Sequence, residues 1–212
     1  MDEKMNKVIC KSALVALISV FPLSSAFAKT ISTAPGILAG NSQGDILYDF
    51  ETGLTPTNLA GDFVIRPIPY NTNTSAAPAF DDSKFYLSVP DPDGGNTGTA
   101  TLTFTTDMNY LGLFWGSVDP YNTISFYNNN LLTDTITGLA IPGSGNQTLA
   151  SQNLYVNITG VLFDEVRFTS VGYAFELDNI AASEVPEPAT MLLFGTGLLG
   201  LAGAARLRTK KK

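Results

Sequence analysis

Two pairs of carboxylates stand where the sequence predicts extended backbone. Glu176 and Asp178 are two residues apart in a strand-like stretch, so both side chains share one face, about 7 Å apart. Asp49 and Glu51 close an earlier strand-like stretch, and the first and last strands of many jelly-roll folds are neighbours. Hard oxygen ligands from several segments suit Ca²⁺. These four residues are therefore candidate ligands of a structural calcium ion, weighed against the more ordinary reading of a solvated acidic face.

A second candidate site surrounds the single tryptophan of the chain. Trp115 is followed by polar side chains that can bind sugar hydroxyls, namely Asp119, Tyr121 and Asn122. Sugar rings stack on aromatic faces, and binding pockets combine an apolar wall with a few polar groups. These residues are therefore the best candidate for a carbohydrate-binding patch. Against it stands the reading that Trp115 belongs to the core, as a lone tryptophan in a strand more often does.

The composition removes several classes of chemistry. The chain has no histidine, and its one cysteine, Cys10, lies near the N-terminus, which excludes Ser-His-Asp and Cys-His catalysis and the usual zinc sites. Residues 29–185 carry four Lys or Arg against sixteen Asp or Glu, a net charge of −12. Nucleic acid is therefore an unsuitable partner, because its phosphates require basic residues. Two carboxylates can hydrolyse glycosides, so a carboxylate glycosidase stays open as the least favoured hypothesis.

The part of the chain that must position these residues has the pattern of an all-β domain. Residues 99–105 and 122–127 alternate strictly between polar and apolar side chains. Loops rich in Gly, Pro and Asn separate such runs, and Asn128-Asn129-Asn130 predicts a tight hairpin. The further strand-like runs are 45–50, 62–66, 84–89, 110–115, 154–158, 165–171 and 174–181. This spacing predicts a two-sheet, jelly-roll-like sandwich over residues 45–183, after a flexible lead-in at 29–44.

The N-terminus has the order of a signal peptide. Three lysines precede an apolar run over residues 13–23, which is too short to span a bilayer comfortably. Ala26-Phe27-Ala28 then fits the small-x-small pattern that signal peptidase accepts, with cleavage before Lys29. We therefore predict that residues 1–28 are a signal peptide and that the mature domain lies outside the cytoplasm. An uncleaved membrane anchor is the alternative.

The C-terminus has three parts in a fixed order. Val185-Pro186-Glu187-Pro188 is held extended by its two prolines, and residues 189–205 form an uncharged run at the lower length limit for a transmembrane helix. The last part, residues 206–212, carries the cations Arg206, Arg208, Lys210, Lys211 and Lys212. By the positive-inside rule these cations hold the C-terminus in the cytoplasm and the domain across the inner membrane. The signal peptide requires the same topology.

This order of Pro-Glu-Pro, glycine-rich apolar helix and basic cluster, over residues 184–212, resembles the PEP-CTERM sorting signal. The resemblance implies that an exosortase, an integral-membrane cysteine transpeptidase, cleaves near Pro-Glu-Pro and passes the protein on to the surface of a Gram-negative-type bacterium. An ordinary tail anchor is the alternative. Residues 110–127 and 175–180 are similar to the Npun-type group of exosortase-dependent surface proteins, from which no activity carries over.

Together these observations predict a non-catalytic, exported protein of the cell surface or extracellular matrix. Signal peptidase and an exosortase would process it, the inner membrane would hold it in transit, and exopolysaccharide or biofilm would be its destination. The alternatives are a carbohydrate-binding, lectin-like module and, behind it, the glycosidase. Calcium is the single cofactor that the sequence suggests.

Overall fold

The computed structural model describes residues 28–35, 45–70, 72–79, 84–91, 93–143, 153–185 and 194–201. Within these residues the chain forms ten β-strands, which pair as one antiparallel sheet. The strands are β1 (Thr30–Pro35), β2 (Asp45–Tyr48), β3 (Leu59–Gly61), β4 (Val64–Pro67), β5 (Phe85–Val89), β6 (Gly98–Gly116), β7 (Asn122–Asn128), β8 (Leu131–Thr137), β9 (Leu154–Ser170) and β10 (Phe175–Glu184).

Two long strands, β6 and β9, run through the whole sheet, and register shifts in their pairing divide the sheet into two halves. β6 has 19 residues and β9 has 17, and their pairing extends from Gly98↔Ser170 to Trp115↔Leu154 with register shifts between Thr103 and Tyr110. On one side of the shifts the strand order is β3-β6-β9-β7-β8. On the other side β6 and β9 are flanked by β10 and β1, and β10 pairs in turn with β5 and β2.

The apolar faces of the two halves pack against each other around one core. Phe175 lies at the start of β10. Its ring centroid is 4.3 Å from that of Trp115 and 5.9 Å from that of Phe168, which belongs to the other half. All three side chains are buried. The all-β prediction is confirmed and the packing is sandwich-like. The sheet is continuous, however, so the two halves are not the separate sheets that the sequence predicted.

The continuity of β6 and β9 corrects four of the predicted strands. The runs 99–105 and 110–115 join as β6, because the residues between them include no Gly or Pro and the irregularity is absorbed by register shifts. The runs 154–158 and 165–171 join as β9 through Gly160, which has φ +77°. A Cβ atom on Gly160 would lie 2.4 Å from the carbonyl oxygen of Ala28, so only glycine fits there.

Local turn chemistry was predicted correctly, whereas the first strand was missed. Asn129 and Asn130 join β7 to β8 with φ of 50° and 63°, the left-handed values of a tight hairpin. Residues 30–35, predicted as flexible lead-in, form β1 against the edge of β9. Ile31 of β1 packs on the core, which explains why this polar segment is ordered. The rest of the predicted lead-in, residues 36–44, lies outside the described residues.

The two ends of the domain lie at the same level along the β6–β9 pair, on either side of it. β1 starts with Thr30 opposite Thr159, and β10 ends with Glu184 opposite Met108, which is itself paired with Phe163. Across β10, β6, β9 and β1 the two ends are three strand spacings apart, about 15 Å.

Beyond the domain, residues 194–201 are helical and exposed. Among the described residues, no helix combines the length and the apolar character that crossing a bilayer requires. The predicted span over residues 189–205 extends outside the described part on both sides and stays a prediction.

The central position of Trp115 generates a stability prediction. Trp115→Ala should lower the free energy of unfolding by about 3–5 kcal/mol, because it removes the largest fully buried side chain and leaves a cavity beside Phe175. Urea denaturation followed by circular dichroism measures this loss. Leu139→Ala, at a residue that is 73 % exposed, is the control and should change stability by less than about 0.5 kcal/mol. Equal stability of the two variants would contradict the core assignment.

Candidate functional site

A polar pocket of about 180 Å³ opens at the end of the sheet where β6 ends and β10 begins. Its walls are the loop before β5, the loop after β6 and the turn between β9 and β10. The lining residues are Thr72, Asn73, Thr74, Ser75, Ala76, Ser117, Asp119, Tyr121, Tyr173, Ala174 and Glu176. Two carboxylates and several hydroxyl groups therefore face one small space.

The loop before β5 is a turn organised by Thr72. Its Oγ1 accepts the backbone N–H of Ser75 at 3.2 Å and lies 3.1 Å from the Ser75 carbonyl oxygen. Ser75 is buried, and its Oγ is 2.9 Å from the Tyr86 hydroxyl and 3.0 Å from Ser88 Oγ, both on β5. Asn153 fixes the far end of the loop, because its Oδ1 accepts the N–H groups of both Ala79 and Ser117.

Glu176 reaches this pocket because strand side chains alternate. Phe175 and Leu177 face the core, so Glu176 points to the opposite face of β10, opposite Ser88 of β5. Its Oε1 accepts the backbone N–H of Ala76 at 3.0 Å, and the residue is only 5 % exposed. Burial raises the pKa of Glu176 to about 8, and the nearby Asp119 carboxylate raises it further while the Ala76 hydrogen bond lowers it.

Asp119 and Tyr121 form the opposite wall. The Tyr121 hydroxyl lies 2.8 Å from Asp119 Oδ2 and also contacts the carbonyl oxygen of Tyr173. Burial raises the pKa of Asp119 to about 6, against the opposing effect of the Tyr121 hydrogen bond. Burial likewise raises the pKa of the Tyr121 hydroxyl. Gly172 lets the β9–β10 turn close on this ring, since a Cβ there would lie 3.0 Å from it.

The two carboxylates differ in protonation at neutral pH. With a pKa of about 8, Glu176 holds its proton and can donate it in a hydrogen bond, whereas Asp119, at about 6, is mainly an ionised acceptor. Environments that separate the pKa values of two carboxyl groups are also typical of acid–base pairs. The pocket therefore offers both donors and acceptors for a small, hydroxyl-rich molecule.

The structure separates the four residues of the predicted sugar patch into two that line the pocket and two that are buried. Asp119 and Tyr121 line the pocket, but Trp115 is fully buried in the core and presents no face to a ligand. Asn122 is also buried, and its Nδ2 donates to the carbonyl oxygen of Ala174 at 2.9 Å. The prediction is thus wrong for Trp115 as a stacking platform, because odd-numbered residues at this end of β6 face the core.

The four predicted calcium ligands are not brought together. β2 and β10 are neighbours as expected, but Asp178 is fully buried and accepts the N–H of Asn179. Glu51 binds Lys84, accepting its backbone N–H at 3.2 Å and pairing with its Nζ at 3.7 Å. The Asp49 side chain accepts the N–H of Glu51. Among the described residues, no three His, Cys, Asp or Glu side chains converge to hold a metal ion.

A second cavity, of about 390 Å³, is lined entirely by residues between Leu47 and Asn58, including Asp49. It is larger but is formed by one continuous segment. We therefore take the smaller pocket as the candidate ligand site.

The described residues of the predicted processing sites lie at the two ends of the domain. Lys29 pairs with Asp134, Nζ to Oδ2, at 2.8 Å, directly after Ala28. Val185 donates its N–H to the carbonyl oxygen of Asp107 at 3.2 Å. Outside the described residues lie Ala26, Pro186, Glu187, Pro188, Arg206, Arg208, Lys210, Lys211 and Lys212.

The comparison with protein families concerns this C-terminal end. Residues 184–208 match the model of the PEP-CTERM protein-sorting motif. The chain carries a PEP-CTERM sorting motif. The predicted resemblance is confirmed, and it implies processing by an exosortase, export and a transient hold in the membrane. The narrower resemblance to the Npun-type group stays a prediction. The motif begins at Glu184, so it overlaps the last hydrogen-bonded residues of the β-domain.

Solved structures offer only distant likenesses to this PEP-CTERM chain. CpGH89CBM32-6 produced by Clostridium perfringens has a TM-score of 0.35 and 10% sequence identity, over 61% of this chain and 96% of that one. The enzymatically active domain of tailspike protein 4 of bacteriophage CBA120 has a TM-score of 0.34 and 17% identity, over 68% of this chain and 21% of that one. A search of the curated proteins found no match.

Sequence reasoning missed the loop that completes the pocket. Thr72, Ser75 and Tyr173 line it with Glu176, which the sequence had placed in the calcium site. The signal was the run of polar residues from Asn71 to Ser75 ahead of Ala76-Ala77-Pro78, which is typical of a structured turn. Its contact with β10 depends on strand order, which the sequence did not provide.

The raised pKa of Glu176 predicts a pH-dependent stability. An ordinary glutamate loses its proton near pH 4.5, whereas folded Glu176 keeps it to about pH 8. Between these values the folded protein binds more protons than the unfolded chain, so the free energy of unfolding must fall as pH rises. We expect a loss on the order of a few kcal/mol between about pH 5 and pH 8. Asp119 adds a change of the same sign below about pH 6.

Urea denaturation at both pH values checks this dependence. Glu176→Gln cannot ionise and should lose less stability over the same interval, because its oxygen can still accept the Ala76 N–H. Glu165→Gln, on the other half of the sheet, is the matched control; it breaks the ion pair with Arg167, but the loss of stability between the two pH values should be that of the natural protein. A Glu176→Gln variant with an unchanged pH dependence would disprove the assignment.

Proposed function

We propose that this chain is a non-catalytic, exported surface or matrix protein that an exosortase cuts near Pro186-Glu187-Pro188. After the cut, the jelly-roll-like β-domain joins the exopolysaccharide or biofilm outside the cell. The observation that carries the proposal is the sorting motif at residues 184–208, which starts on the last strand of the domain. The processing enzyme would therefore meet its target directly beside folded protein.

The positions of the two chain ends support this topology. Lys29, the predicted first residue of the mature chain, and Val185, the last hydrogen-bonded residue before Pro186, are both fixed near the register shifts of the β6–β9 pair, on either side of it. Because both ends leave the domain at a similar level, the domain can fold while both are held in one membrane, and neither end has to pass around the domain. The signal peptide and the sorting tail can thus be in the bilayer at the same time, before signal peptidase and the exosortase act.

The proposal predicts an exosortase-dependent loss of the C-terminus. The mass of the mature protein from fractionated cells should show a chain that starts at Lys29 and ends near Pro188. Cells without the exosortase should retain the chain through Lys212. Glu187→Ala should also retain it, because it alters the recognised motif. Pro120→Ala, at an exposed position of the domain, is the control and should be cut normally. An intact C-terminus in the natural protein would disprove sorting.

A second candidate function, glycan binding, is favoured by the pocket of Asp119 and Glu176. Its volume of about 180 Å³ is close to that of the roughly 150 Å³ cavity known to hold one benzene ring. It would therefore suit a single sugar ring. The lining residues include carboxyl, amide and hydroxyl groups and no Lys or Arg, which suits a neutral or cationic sugar better than an anionic one.

A glycan array with the folded domain tests this second function. If the pocket binds a sugar, Asp119→Asn should weaken binding roughly tenfold or more, since it removes a charged acceptor. Asp93→Asn, at an exposed loop position outside the pocket, is the matched control and should bind as the natural protein does. If no glycan on the array binds, the second candidate function is excluded and the structural role stands. Release of reducing sugars from purified polysaccharide would instead support the glycosidase hypothesis.

A further inference from the structure

Three exposed leucines lie where the β7–β8 hairpin meets β9. Leu131 and Leu132, the first residues of β8, are 72 % and 58 % exposed, and Leu162 of β9 is 44 % exposed. We name these three residues the leucine patch. Exposed apolar side chains that cluster commonly mark a contact surface, whereas single ones need no explanation.

Hydrogen bonds hold the parts of the leucine patch together. Thr133 Oγ1 donates to the carbonyl oxygen of Leu162 at 3.0 Å, which ties the start of β8 to β9. The backbone N–H of Asn129 donates to Asp164 Oδ2 at 2.9 Å, which ties the hairpin turn to the same strand. Leu131 and Leu132 are consecutive in β8, so their side chains point to opposite faces of that strand, and the hairpin that carries them is held against β9 beside Leu162.

Both ends of the domain lie beside the leucine patch. Asp107 accepts two hydrogen bonds, one on its Oδ1 from Asn128 Nδ2 of the hairpin and one on its carbonyl oxygen from the N–H of Val185. Lys29 pairs with Asp134, two residues after Leu132. Lys29 thus contacts the hairpin that carries Leu131 and Leu132 directly, and Val185 is linked to it through Asp107.

The tail limits how far this end of the domain can be from the membrane. Eight residues separate Val185 from the helical segment 194–201, and a fully extended chain of that length spans at most about 28 Å. Leu139, which is 73 % exposed, lies at the other end of β8, where Gly138 packs on the Asp119 backbone of the pocket. The leucine patch is therefore on the tethered side of the domain and Leu139 is on the far side.

We propose that the leucine patch rests on the lipid surface while the sorting tail holds the domain at the membrane. The proposal depends on the proposed function, because the tail supplies the hold. Leucine side chains insert into the interfacial region, whereas the acidic domain around them does not. Once the tail is cut, the patch alone gives weak, reversible contact, so the domain leaves the membrane.

Lipid quenching of a probe tests the contact directly. The full chain, with Cys10 replaced by serine, receives a single cysteine as Leu131→Cys or, as the matched control of equal exposure, Leu139→Cys. Each variant is labelled with a polarity-sensitive fluorophore and anchored in phosphatidylcholine vesicles, with or without brominated acyl chains. Zwitterionic lipid avoids repulsion of the acidic domain. We expect brominated lipid to reduce emission at least twofold at position 131 and to leave position 139 unchanged. Leu162→Cys should repeat the result for position 131.

Flotation of the same vesicles separates the two proposals. A chain that floats with an unquenched probe at position 131 overturns the leucine patch contact and leaves the sorting hold in place. A chain that does not float overturns the hold and the patch contact with it. If emission falls as the protein density rises but does not depend on brominated lipid, the labelled copies contact each other. The leucine patch would then bind a second copy of the chain, which would also overturn the proposal.

Discussion

The pairing of β6 with β9 is the constraint on which the structure depends. These strands run through both halves of the sheet, so every other strand is positioned relative to them. Their register shifts between Thr103 and Tyr110 allow the halves to face each other, and the contact of Phe168 with Phe175 closes the core. If this pairing were lost, the core and both edges would be lost with it.

The pocket is a consequence of how that sheet ends. At the start of β10, alternation turns Phe175 inward and Glu176 outward. The loop organised by Thr72 then covers Glu176, so a carboxyl group is buried with one backbone hydrogen bond and no cation from the lining residues. Its raised pKa follows from that burial. The chemistry of the site is therefore set by a loop that contributes mainly backbone and hydroxyl groups.

The alternation of polar and apolar residues predicted the strands that have one buried and one exposed face. It failed for strands and side chains whose position depends on which strands pair with each other. Ile124 and Phe126 alternate with polar residues and are buried as predicted. β1 was missed because its residues are polar and only its pairing with β9 orders it. Half of the predicted sugar patch reached the pocket, but Trp115 did not, because periodicity cannot tell a core tryptophan from a binding one. Glu176 and Asp119 meet only through strand order, which no local pattern contains.

The register of β1 bears on the order in which the protein can assemble during translocation. Thr30 pairs with Thr159, so the first strand to emerge from the export channel has no partner until most of the chain has followed it. β2 likewise waits for β10. Contacts between such distant parts of the sequence form late and slowly. The fold is thus suited to a chain that crosses the membrane unfolded and completes its sheet only on arrival.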